Sequence, residues 1–106
     1  MATASRARNT GADRSEGERR LRDLAGVGRA VEADFLKLGV RSVPELAACE
    51  GDELYRRLCE LTGTRQDPCV LDGFRCAVAQ ARDPHLPAAQ RNWWWWSRQR
   101  KAGHLS

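Results

Sequence analysis

The sequence predicts an all-α fold, a compact five-helix domain containing a helix-hairpin-helix unit. Apolar residues recur at three- and four-residue steps through most of the chain, the spacing that gathers side chains on one face of a helix. No segment alternates apolar and polar residues as a half-buried strand does. Glycine, proline and capping residues then cut the periodic stretch into pieces of helical length.

Taken in order, residues 1–15 are small, polar and charged without a hydrophobic period, and are expected to form a disordered arm. The folded domain is expected over residues 16–83, and residues 84–106 form a Trp-rich basic C-terminal segment. Leu21 and Leu24 mark a first helix, Gly26-Val27-Gly28 a tight turn, and Val31, Phe35 and Leu38 a second helix. Gly39 ends it as a residue that accepts the left-handed conformation, and Val40 re-enters the core. Ser42-Val43-Pro44-Glu45 reads as a capping box: the Ser42 hydroxyl accepts the N–H three residues on, and Glu45 reaches back to the cap's own N–H. Pro44 falls in the first turn of this short third helix, where its missing donor costs nothing.

Gly51-Asp52 breaks and restarts the chain, with Asp52 as N-cap of a fourth helix whose apolar face is Leu54, Leu58 and Leu61. Thr62-Gly63 stops it. Asp67-Pro68 opens a fifth helix with Val70, Leu71, Phe74, Ala77, Val78 and Ala81 on its buried stripe, and Asp83-Pro84 closes it. Pro84 to Ala89 has room for one further turn. Leu21-Arg22-Asp23-Leu24-Ala25-Gly26 is echoed 37 residues later by Leu58-Cys59-Glu60-Leu61-Thr62-Gly63. The echo marks a degenerate tandem pair of hairpins, or two Leu-rich helices that merely end alike. In the second copy Arg65 stands where Gly28 stood.

The formal net charge of +4 is unevenly spread. Residues 1–22 carry a net +3, residues 23–83 a net −3, and residues 84–106 a net +4. A slightly acidic body with Arg-rich ends attracts polyanions weakly and in a salt-sensitive way. No stretch approaches the ~18 consecutive apolar residues of a membrane span, so no membrane partner is expected. The N-terminus has none of the apolar run of a secretory signal. Cys49, Cys59, Cys69 and Cys76 are therefore expected as thiols in a cytoplasmic setting.

Leu24-Ala25-Gly26-Val27-Gly28 carries the functional expectation. Two glycines flank one apolar residue, so the chain turns sharply and comes close to a ligand without a Cβ in the way. Val27 ties the turn to the core. Gly28 leads into a helix whose first N–H groups lack intrahelical partners and sit at the positive end of the helix dipole. A phosphate oxygen fits that position. The expected backbone-binding residues are Gly26, Val27, Gly28, Arg29 and Ala30, with Arg22 and Arg29 adding charge-assisted contacts. The same turn also serves as a plain connection between packed helices, or as a protein contact.

The chain from Leu21 to about Ala81, with the Trp-rich end, resembles the small bacterial helix-hairpin-helix family labelled pathogenicity-locus proteins, some of which are labelled mitomycin resistance. The stretches that carry the resemblance include Leu24 to Gly28, Leu38 to Leu46, Glu53 to Gly63, Asp67 to Leu71 and Phe74 to Val78. It implies an all-helical fold and suggests DNA binding through the hairpin. Two positions depart from the usual hairpin pattern: Ala25 stands where Pro is common, and Glu32 where a small residue is common. Glu32 either disturbs the close approach of the two helices or sets a negative charge within reach of a bound phosphate.

Cys69 and Cys76 share a helix face and Cys59 lies near the preceding helix end, so a thiol site of Cys59, Cys69 and Cys76 competes with three buried structural cysteines. Cys69 in a first helical turn is expected to have a lowered thiol pKa. No fourth ligand stands at a metal-site spacing, since His85 and His104 lie in poorly constrained regions, and no metal is expected. Trp93, Trp94, Trp95 and Trp96 cannot all face one side of a helix. They form a staple over the core or, with Arg91, Arg98, Arg100 and Lys101, an aromatic and basic arm for unpaired bases or a partner. Tyr55, Arg56 and Arg57 read as an exposed stretch. No paired carboxylates, Ser/His/Asp set or phosphate-binding Lys loop is present, so the chain reads as non-enzymatic and without cofactors. It is expected to contact a DNA backbone weakly and without sequence specificity, the alternatives being a protein-interaction module and a thiol-based metal or redox site.

Overall fold

The computed structural model describes residues 19–103, and every regular element among them is helical. Five α-helices run over Arg29–Lys37 (α1), Val43–Ala47 (α2), Gly51–Thr62 (α3), Pro68–Arg82 (α4) and Trp93–Lys101 (α5), with single 3-10 turns at Leu21–Asp23 and Ala88–Arg91. The expected disordered arm over residues 1–15 and His104 lie outside the described residues.

Four of these are helices the periodicity predicts, and the first predicted one is absent. The stretch around Leu21 holds a single 3-10 turn, because the Asp23 carboxylate takes the Arg20 N–H at 2.7 Å and both Arg20 and Leu24 are extended. Leu21 and Leu24 still enter the core, at 3% exposure each. The fifth α-helix is instead the tryptophan run, which packs along α4.

α4 is the central element, flanked by α2, α3 and α5. Phe35 of α1 meets Phe74 of α4 with ring centroids 5.1 Å apart, and Leu46, Leu54, Leu58 and Val78 close the core around them. Burying Phe74 or Leu46 fully stabilises the fold by ~2–3 kcal/mol each relative to exposure. The expected stripe on α4 is present, with Phe74, Ala77, Val78 and Ala81 buried and Val70 and Leu71 half-buried.

Two local expectations hold and three change. Gly39, at φ 84°, ends α1 as expected. Asp67 caps α4 by accepting the Cys69 N–H at 2.8 Å. Ser42 accepts the Glu45 N–H at 3.2 Å, but the Glu45 carboxylate returns to the Arg41 N–H, one residue before the cap. Asp52 does not cap α3. The helix begins at Gly51, and Asp52, inside its first turn, forms a two-pronged ion pair with Arg75 of α4 at 2.7 and 2.8 Å. Gly51 itself is needed for packing, since a Cβ there would lie 2.9 Å from the Arg75 Cα. Leu61 is 57% exposed, because α3 runs past the body before Gly63 ends it.

Two buried polar residues on α4 are not signalled by the periodicity. Asp72 is fully buried and receives two hydrogen bonds from the Arg100 guanidinium, at 2.9 and 3.0 Å, fastening α5 to α4. Gln80, 4% exposed, reaches the opposite way, toward the glycine turn.

Candidate nucleic-acid interface

The turn from Leu24 to Gly28 is held from both sides. Leu24 N–H donates to the Leu21 carbonyl at 3.1 Å and Val27 N–H to the Leu24 carbonyl at 3.1 Å, which tightens the chain around Ala25 and Gly26. Val27 is 5% exposed and anchors the turn in the core. The Gln80 carboxamide then clamps Ala25: its Oε1 accepts the Ala25 N–H at 2.9 Å and its Nε2 donates to the Ala25 carbonyl at 2.9 Å. A residue 55 positions away in sequence thus fixes the backbone immediately before Gly26.

The two glycines differ. Gly26 has φ 83°, a region costly to residues with a Cβ. Gly28 has φ −94° and ψ −165° as N-cap of α1, and a Cβ placed on it would meet nothing within 4 Å. Neither its backbone nor its surroundings demand glycine. Its consequence lies in what is missing, a capping side chain, so the N–H groups that open α1 keep no acceptor from the cap. Among the described residues nothing accepts a hydrogen bond from the N–H groups of Gly26, Gly28, Arg29 or Ala30. Four donors over one turn of chain thus have no acceptor within the described residues, and all four residues are exposed.

Arg29 and Ala30 are exposed. Arg22 lies 3.5 Å from Glu32, with its side chain 49% exposed. In place the pair offsets the Glu32 charge, and when Arg22 turns to another anion Glu32 is left uncompensated near the turn. An exposed ion pair of this kind is worth ~0–1 kcal/mol, so Arg22 is free to exchange Glu32 for another anion.

Beside the turn lies a cavity of about 240 Å³. Ala25 and Gly26 form one wall, Phe74 and Trp93 contribute aromatic surface, and Asp34 and Cys69 stand in its lining. The tryptophan run divides by helical position. Trp93 and Trp94 are 45% and 43% exposed, whereas Trp95 and Trp96 are half-buried. Trp96 donates its indole N–H to the Gln90 carbonyl at 2.9 Å and meets Trp95 edge-on with centroids 5.1 Å apart. Arg98 lies over Trp94, 4.5 Å from the ring centroid, Arg100 is occupied by Asp72, and Lys101 is exposed. Staple and exposed arm are thus two faces of one helix.

The cysteines stay apart. Cys59 Sγ accepts the Gln66 N–H at 3.4 Å, Cys69 faces the cavity, and Cys76 packs near Gln80 and the Gln90 carbonyl. Among the described residues no group of three or more His, Cys, Asp or Glu is arranged to hold a metal. The Cys69 thiol is pushed up rather than down, by its hydrogen bond to the Asp67 carboxylate first and by desolvation next. A full negative charge in contact outweighs the partial positive charge of the helix end. Burial pushes Cys76 up to about 11. Tyr55 is half-buried and donates to the Gln66 carbonyl, while Arg57 donates to the Leu38 carbonyl at 2.9 Å, so this stretch ties loops together rather than lying free.

Fold and site together define a small helical protein that presents open backbone donors on a glycine-flanked turn, beside an aromatic cavity. The chain belongs to the pathogenicity locus family, whose model matches residues 14–102. It is 38% identical over 81 residues to a mitomycin resistance protein, McrB, of Streptomyces lavendulae, an alignment covering 76% of this chain and 73% of that protein. No solved structure matches the chain, and no helix among the described residues is long and apolar enough to cross a membrane.

Proposed function

We propose that the chain is a non-enzymatic DNA-binding protein of the cytoplasm, contacting the phosphate backbone through the turn from Leu24 to Gly28 without reading sequence. This turn stands where the turn of a helix-hairpin-helix unit is expected and is preceded here by a 3-10 turn. The observation that carries this reading is the run of N–H donors without an acceptor at Gly26, Gly28, Arg29 and Ala30, held in one conformation by Gln80 and opened by a cap without a side chain. Backbone amides at a helix start, joined by an arginine, suit a phosphate oxygen in geometry and charge. Such contacts position a protein on a duplex but carry no base information. The net −3 of residues 23–83 opposes DNA, so affinity is weak and falls steeply with salt. The mitomycin resistance of the relative is an outcome for a cell and names no molecular act, so the reading stands on the turn alone.

Titration of duplex DNA at two salt concentrations tests it, with Gly28→Asp as the variant. An Asp at this position has room for its Cβ and caps α1 as Asp67 caps α4, so stability rises by a few tenths of a kcal/mol. The same carboxylate occupies the donors and repels phosphate. Binding is expected at low salt, weaker at high salt, and lost by about tenfold or more in the better-capped variant. Absence of binding at low salt, or a Gly28→Asp protein that binds as well as the parent, refutes the reading.

A further inference from the structure

Trp93 is the one tryptophan of the run that the fold leaves without an account. Trp96 has its hydrogen bond, Trp95 its edge contact and Trp94 its arginine, while Trp93 stands 45% exposed on the same helix. Its place in the fold is specific. It lines the same cavity as Ala25 and Gly26, the turn with the open donors. Residues 67 positions apart in sequence, Gly26 and Trp93, thereby share one concave surface.

We infer that this cavity is a base pocket, which takes an unpaired nucleobase of a DNA strand whose phosphate lies on the N–H groups of Gly26, Gly28, Arg29 and Ala30. The inference rests on the backbone-binding reading and adds the substrate class, DNA with an unpaired base. Size, charge and surface argue for this occupant. At about 240 Å³ the space is below the ~300–1,000 Å³ of pockets that enclose drug-sized molecules, and suits one ring system. Asp34 brings a carboxylate to the lining; it repels a phosphate and accepts N–H groups from the edge of a base. Trp93, 45% exposed, offers an aromatic face, which stacks on any base, while Phe74 closes the cavity from the core. The phosphate therefore stays on the turn and the neutral ring enters the cavity. In a paired duplex the base faces are covered by their neighbours, so the pocket is reached only by a base that has left the stack.

Three duplexes separate this inference from the reading beneath it: one fully paired, one with a single extrahelical nucleotide, and one with an extrahelical abasic sugar in its place. At low salt the full chain is expected to bind the extrahelical base about tenfold more tightly than the other two, the size of one stacking contact. Trp93→Ala is expected to bring that duplex down to the level of the others while leaving the paired duplex within about twofold, and Trp93→Phe to keep part of the preference. Circular dichroism checks that both variants fold. Equal affinity for all three duplexes, equal affinity for base and abasic sugar, or a uniform loss in Trp93→Ala overturns the base pocket and leaves backbone binding standing. If no duplex binds at all, backbone binding fails and the base pocket fails with it.

Discussion

The two stretches that echo each other in sequence, Leu21 to Gly26 and Leu58 to Gly63, both end on a glycine in the left-handed region, Gly26 at φ 83° and Gly63 at φ 68°. From Gly63 on, four N–H groups find acceptors close in sequence. Gly63 N–H and Thr64 N–H return to the Glu60 and Cys59 carbonyls, Gln66 N–H meets Cys59 Sγ, and the Asp67 carboxylate takes the Cys69 N–H as α4 begins. After Gly26 the chain leaves its donors open, and its support comes from Gln80 on the far side of the core. Similar sequence at a turn thus yields two kinds of object. One is closed by its own neighbours and serves the fold; the other is propped by tertiary contact and presents backbone to the outside. A cap residue makes the difference, aspartate in one and glycine in the other.

The largest way to break this contrast is to remove the prop. Gln80→Ala deprives the Ala25 N–H and carbonyl of their partners and empties a buried position, an expected loss of about 2 kcal/mol. Hydrogen exchange at the Ala25 and Val27 amides is expected to accelerate ahead of global unfolding, with Thr64 unaffected. Gln80→Glu sharpens the test: its carboxylate still accepts the Ala25 N–H but sets a buried charge against the Ala25 carbonyl, so at neutral pH a loss at least as large as that of Gln80→Ala is expected. Uniform acceleration at both turns would mean that Gln80 supports the core alone.

A smaller effect is expected at the glycines themselves. Gly26→Ala and Gly63→Ala each place a Cβ on a positive φ with open space around it, so strain alone acts, ~1–2 kcal/mol in both. Thermal melts should therefore rank the two variants together. DNA affinity should not: Gly26→Ala weakens it and Gly63→Ala leaves it unchanged. Equal affinities in the two variants would erase the functional difference between the turns.

How much of this is legible in the sequence follows from the reach of each interaction. Gly39, Ser42 and Asp67 act on residues within four positions and are readable as caps. Phe35, Leu54 and Phe74 follow from helical period. The turn at Gly26 is visible as a glycine pattern, but its prop is not, because Gln80 stands among polar residues of α4 and its partner is 55 residues away. Asp72 likewise reads as a surface carboxylate until α5 brings Arg100 against it. The expected first helix does not form because two leucines three apart also fit a 3-10 turn, and Asp23 ends that turn at Arg20. Asp52 is not the expected cap because α3 starts two residues earlier, at Gly51, which packs closely on Arg75, and the Asp52 carboxylate pairs with Arg75. The juxtaposition of Trp93 with Gly26 is wholly tertiary.

The smallest expected effect concerns the closed turn and its thiol. The Asp67 carboxyl is held below the usual carboxylate range, first by the Cys69 N–H it accepts. Its capping contribution is therefore present above about pH 4 and is lost as pH falls through the lowered folded-state value. At neutral pH the carboxylate is charged, and by the same contact it raises the Cys69 thiol. Cys69 is exposed and yet is expected to label more slowly than a free thiol, since the thiolate is the reactive form. Asp67→Asn keeps the cap, because Asn and Asp cap about equally well, but removes the charge. Peptide-resolved alkylation across mildly alkaline pH should show the Cys69 rate profile moving to lower pH in this variant, with buried Cys76 slow in both proteins. An unmoved Cys69 profile would show that Asp67 acts on α4 through its hydrogen bond alone, and that the helix end, open or closed, sets the thiol.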